Sequence, residues 1–154
     1  MLRNERSGVI AAGNFIVDHI KTIDEYPAED HLAVVLSEAQ YNGGGPYNLL
    51  RDLVALGVDF PLYAEGLVGD DRDGHWILED CERHGIDTSG LRMSPDVSTS
   101  WTDVMSVAST GRRTFFHRPG ANDDLTLDSA EILSSSSKIF YLGYLTMLGA
   151  LDAR

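Results

Sequence analysis

The chain has 154 residues, 43% of them hydrophobic, which suits one domain with a core of ordinary size and excludes a disordered chain. Its 24 acidic side chains against 12 basic ones give a net charge of -12. Such a surface repels phosphate backbones and anionic lipid heads, so neither nucleic acid nor a membrane surface is an expected partner. No stretch approaches the roughly 18 apolar residues of a membrane span. The lone Cys81 has no internal disulfide partner, which suits a reducing compartment, and a soluble cytoplasmic protein is expected.

In chain order, Val9–Gly13 is a short apolar, β-prone run and predicts a buried strand of an α/β sheet, with residues 14–18 at its C-terminal edge. Residues 32–40 form a second extended candidate. Next comes Asn42-Gly43-Gly44-Gly45-Pro46-Tyr47-Asn48, a loop whose glycines admit a close neighbour and whose proline suits the first turn of a helix. That helix is expected over residues 46–56, ending at Gly57, with its positive end facing a polar or anionic group. The competing reading of the loop is a tight turn before a helix. Residues 60–68 read as a strand, and Asp73 as the cap of a helix that carries Trp76, Ile77, Leu78 and Cys81 to Gly85.

The rhythm of strand, loop and helix then gives way to a β-hairpin. Residues 98–108 alternate, with Trp101, Asp103, Met105 and Val107 on one face; residues 109–111 turn the chain and residues 112–118 run back. A capped helix is expected over residues 126–133, a buried strand over 138–142, and the start of another helix from Thr146. A parallel sheet whose last crossover helix has barely begun leaves a strand face uncovered. The sequence therefore reads either as the N-terminal half of something about twice as long or as a small domain whose sheet edge another subunit closes.

Four segments share an order and spacing: Gly13-Asn14-Phe15-Ile16-Val17-Asp18, the glycine loop through Asn48, Gly66-Leu67-Val68-Gly69-Asp70-Asp71 with Gly74, and Arg118-Pro119-Gly120-Ala121-Asn122. Together they resemble the N-terminal half of the ribokinase-like (PfkB) carbohydrate kinases, over nearly the whole chain. The resemblance implies an α/β sandwich with a mostly parallel sheet and a small β lid near residues 14–41 and 98–119. It also implies transfer of the γ-phosphate of ATP, with Mg²⁺, to a hydroxyl of a sugar or nucleoside. It carries substrate binding to Asn14, Asp18, Gly43, Gly44 and Asn48, and suggests Trp101, Phe116 and Arg118 as lid residues facing the sugar. The residue types fit, because a polyol needs short polar side chains converging from several segments, and a carboxylate such as Asp18 accepts two hydroxyls in charge-assisted bonds.

Two departures stand out. Tyr47 occupies a position that is small in many relatives, where it either narrows the pocket or points away. The family's catalytic aspartate, anion hole and nucleotide pocket belong to its C-terminal half, so these 154 residues alone are expected neither to bind ATP tightly nor to phosphorylate. The histidines at 19, 31, 75, 84 and 117 show no metal-ligand spacing. The acceptor is expected to be a hexose such as fructose, and a homodimer through the lid strands is expected. The alternative is a non-catalytic binding or dimerisation module.

Overall fold

In the computed structural model, which describes residues 6–129, 132 and 135–152, the apolar run Val9–Gly13 is strand β1, buried at all five positions. It is buried because it has a parallel neighbour on each side, and a strand covered on both edges and both faces must be apolar throughout. β1 pairs with β4 (Leu62–Gly69) on one side and β8 (Ile139–Gly143) on the other, and β4 pairs with β5 (Asp87–Ser94). The order β5-β4-β1-β8 is parallel throughout.

One helix lies on each of the connections from β1 to β4 and from β4 to β5. Helix α1 (Gly45–Ala55) places Leu50 in the core, and α2 (Arg72–Arg83) adds Ile77 and Cys81, all fully buried against Val9, Ala11, Ala64 and Val68. Their spacing, i and i+4 in α2, puts the apolar residues on one stripe. A second sheet, in the order β3-β2-β6-β7, comprises β2 (Ile16–Ile23), β3 (Val35–Gly43), β6 (Trp101–Val107) and β7 (Arg113–Arg118). Two antiparallel hairpins, β2–β3 and β6–β7, join through the parallel pair β2–β6.

Several local expectations differ from the structure. Residues 16–23 are a strand rather than the mere edge of β1; their sequence, IVDHIKTI, mixes polar and apolar residues on both faces because both faces of β2 are partly covered. β5 has no counterpart among the expected strands because DTSGLRMS is poor in β-formers; pairing along β4 holds it in place. The cap of α2 is Asp71, whose carboxylate accepts from the Gly74 amide at 2.9 Å, and Asp73 lies within the first turn. Residues 145–147 form a single 3₁₀ turn in place of the expected start of a helix. Of the helix expected over residues 126–133, residues 126–128 are not helical, and positions 130, 131 and 133 lie outside the described residues.

Candidate functional site

The three glycines that follow Asn42 are each touched by a different element. A Cβ on Gly43 would fall 2.2 Å from Oδ2 of Asp18, so the carboxylate from β2 lies directly on the Gly43 backbone. A Cβ on Gly44, which has φ +95° and caps α1, would fall 1.9 Å from the Asn14 carbonyl oxygen. A Cβ on Gly45 would fall 2.8 Å from the Tyr141 hydroxyl and 3.5 Å from Cζ of Tyr144, at the end of β8. Only glycine lets three elements approach the start of one helix so closely, and this is the physical content of the GGG run.

This corner sits where the sheet changes direction. From β1 the chain builds outward through β4 to β5, then returns to place β8 on the opposite side of β1. In open α/β sheets the crevice at the carboxyl ends of such strands is where ligands bind. The two strand ends meet closely, with the Asn14 amide donating to the Gly143 carbonyl at 3.0 Å. Asn14 is itself 1% exposed, and its Oδ1 accepts from the Tyr144 amide at 2.8 Å. It thus ties β1 to β8 from beneath the corner.

Burial pushes the Asp18 carboxyl above the ordinary carboxylate value, with the neighbouring His19 charge opposing. Strand pairing sets Tyr41, Asp18, Thr102 and His117 in one row across the second sheet. Thr102 Oγ1 and His117 Nδ1 lie 2.9 Å apart, and burial holds the imidazole below its usual value, with the Trp101 backbone opposing.

Trp101, Phe116 and Arg118 do not share that face. Trp101 pairs with Arg118 and Asp103 with Phe116, one position out of step with Thr102 and His117, so their side chains stand on the reverse side. There Trp101 stacks on His19, with ring centroids 5.9 Å apart and planes 4° from parallel. Asp103 accepts from Lys21 on the same side. Asn48 is exposed on the first turn of α1, its amide donating to the Gly44 carbonyl at 3.0 Å. Tyr47 turns away from the corner: its hydroxyl donates to Asp80 of α2, and burial together with that carboxylate pushes the phenol up to about 12.

Other shared motifs build the frame. Asp71 accepts from the Gly74 amide and from both the amide and hydroxyl of Thr99, at 2.7–2.9 Å, clamping the approach to β6 onto α2. Burial alone would raise its carboxyl; these donors outweigh burial and lower it. Asn122, fully buried, donates from Nδ2 to the Phe15 carbonyl at 3.0 Å and so fixes the loop between β1 and β2. The roles of Asn122, Tyr141 and Tyr144 are not legible in the sequence; each meets its partner across roughly a hundred residues, and no local pattern announces such contacts. A cleft of about 680 Å³ lined by Glu65, Gly90, Arg92 and Asp128 shares no residue with the corner.

A parallel sheet that reverses at β1, a glycine corner opening α1, and a second sheet built from two separated hairpins define the ribokinase-like α/β class. Ribokinase from Thermotoga maritima superposes with a TM-score of 0.75 at 19% identity, over 87% of this chain and 44% of its own. Arabidopsis thaliana ribokinase, solved with ribose and ATP, gives 0.73 at 21% identity over 88% of this chain and 45% of its own. At such identities the likeness establishes the fold. A model of the pfkB family carbohydrate kinases matches residues 7–151, and the chain belongs to that family.

Among curated relatives, an ATP-dependent ribose-1-phosphate kinase of Halopiger xanaduensis is 35% identical over 85 residues, 55% of this chain and 28% of its own length. Fructokinase-2 of Oryza sativa subsp. japonica is 24% identical over 143 residues, 91% of this chain and 40% of its own. The matched part of the chain spans less than half the length of either relative.

Proposed function

We propose that this chain is the acceptor-binding portion of an ATP-dependent carbohydrate kinase, holding the sugar whose hydroxyl receives the γ-phosphate. The observation that carries the reading is the Asp18 carboxylate laid on Gly43 at the opening of α1, beside the reversal point of the sheet. Asp18 accepts two sugar hydroxyls, the backbone amides of the glycine corner donate to a third, and Asn48, exposed on the first turn of α1, reaches the sugar from the side. Asn14 acts from below, through its hold on Tyr144.

The acceptor is an uncharged sugar of the fructose or ribose kind. On the Asp18 face of the second sheet the pairing puts one basic residue, Arg113, and it lies at the far end of the hairpin, four residues along β7 from His117. A sugar phosphate or sugar acid brought to the Asp18 carboxylate is repelled, and the neighbouring His19 stacks on Trp101 at the reverse face. Arg118, expected among the lid residues facing the sugar, stands on the reverse face.

Among the described residues no group of three His, Cys, Asp or Glu side chains is placed to hold a metal ion. What this part of the chain contributes is position: it fixes the acceptor hydroxyl, which in phosphoryl transfer supplies much of the rate. Calorimetry with fructose, ribose and ribose 1-phosphate tests the reading; binding of a neutral sugar is expected, and preference for the phosphate would contradict it.

A second reading, assembly through the second sheet, is favoured by its edges. Val35 and Leu36 on β3, and Phe115 and Phe116 on β7, are each at least 50% exposed on edge strands. Exposed apolar edges of this kind pair with a second copy.

A further inference from the structure

Tyr144 is 53% exposed, yet its backbone is not free: its amide donates at 2.8 Å to Oδ1 of Asn14, a side chain 1% exposed whose Nδ2 also reaches Sδ of Met147 at 4.0 Å. The ring therefore projects from an anchored point at the carboxyl end of β8. It stands over the first residue of α1, its Cζ 3.5 Å from where a Gly45 side chain would begin, and the Tyr141 hydroxyl approaches the same spot to 2.8 Å. Two residues back along the chain lies Gly43, with the Asp18 carboxylate upon it.

An aromatic ring on an anchored backbone, at the same glycine corner as a carboxylate and backbone amides, is the composition of a site for a molecule with one apolar and one hydroxyl-bearing side. A sugar ring has that shape. We propose that Tyr144 is an acceptor-binding residue, its ring packing on the C–H face of a neutral sugar whose hydroxyls Asp18 accepts. The proposal rests on the kinase reading above and adds to it a residue and a preference for an uncharged ring. Tyr141 serves as a positioning residue, its hydroxyl holding the approach at Gly45 and Gly143.

Saturation-transfer NMR on the full chain tests it, with D-fructose and D-ribose as neutral probes and D-gluconate as the anionic one. Irradiation of aromatic protons is expected to saturate the C–H protons of a neutral sugar in the wild type. Tyr144→Ala is expected to bind that sugar roughly tenfold more weakly, while Tyr144→Phe, which keeps the ring, stays within about twofold. Tyr144→Ala binding as tightly as wild type, with Asp18→Asn binding lost, overturns the Tyr144 proposal and leaves the kinase reading standing. Tighter binding of gluconate than of either neutral sugar overturns the uncharged preference. A folded wild-type chain that binds no sugar overturns the kinase reading and Tyr144 with it. Circular dichroism follows the fold of each variant; if Tyr144→Ala unfolds, absence of nuclear Overhauser contacts between the Tyr144 ring and the sugar in the wild type is the overturning result.

Discussion

Two neighbouring glycines of the corner fail for different reasons when given a methyl group. On Gly43 the new Cβ meets the end of the Asp18 side chain, which can swing aside, whereas on Gly44 it meets the Asn14 backbone at 1.9 Å and sits on a residue with φ +95°. Gly43→Ala is therefore expected to fold with stability within about 1 kcal/mol of wild type and to lose sugar binding at least tenfold. Gly44→Ala is expected to cost about 3 kcal/mol or more. Urea unfolding beside calorimetry separates the two; equal destabilisation by both would contradict the assigned contacts. At this scale the sequence is informative where chemistry is local: Asp18 and the GGG run stand out by residue type and order. Tyr144 and Asn122 do not, because their meaning lies in contacts with Asn14 and Phe15 that only the folded sheet creates.

Helix α2 shows how one carboxylate joins elements. Asp71 satisfies the Gly74 amide at the helix start and both donors of Thr99, which leads into β6, so its loss both uncaps α2 and frees the second sheet from the first. Asp71→Ala is expected to cost about 2 kcal/mol at neutral pH, the scale of a lost cap with charge-assisted bonds. Because the fold lowers this carboxyl below its ordinary value, the contribution is complete above the unfolded-state value of about 4. It fades as pH falls through the lowered value, so denaturation curves of wild type and variant should converge in strong acid; a gap that persists unchanged would argue against an ionised Asp71. The same elements mark how far the sequence can be read at this scale. α1 and α2 are legible from apolar spacing and nearby Gly and Pro, while β2 and β5 are not, since their patterns are set by what each face packs against.

Seen whole, the molecule joins a parallel α/β layer to a second sheet whose edge strands carry exposed Val35, Leu36, Phe115 and Phe116. If a second copy covers those edges, sedimentation of the chain should report a dimer, and Phe115→Lys with Leu36→Lys should shift it to monomer without loss of helix signal. A wild-type chain that sediments as monomer at all concentrations up to the millimolar range would remove the assembly reading. The central claim is that Asp18 serves ligand binding rather than the fold. The fold raises its carboxyl above the ordinary value because burial penalises the charge, so at neutral pH the ionised side chain lowers stability, a penalty that disappears as pH falls below the unfolded-state value. The most direct test is to titrate fructose and ribose calorimetrically into wild type and Asp18→Asn and to melt both at neutral pH. The account predicts that the variant binds about 2 kcal/mol more weakly, roughly thirtyfold in Kd, and melts no lower than wild type. Unchanged affinity, or a variant that loses stability, would contradict it.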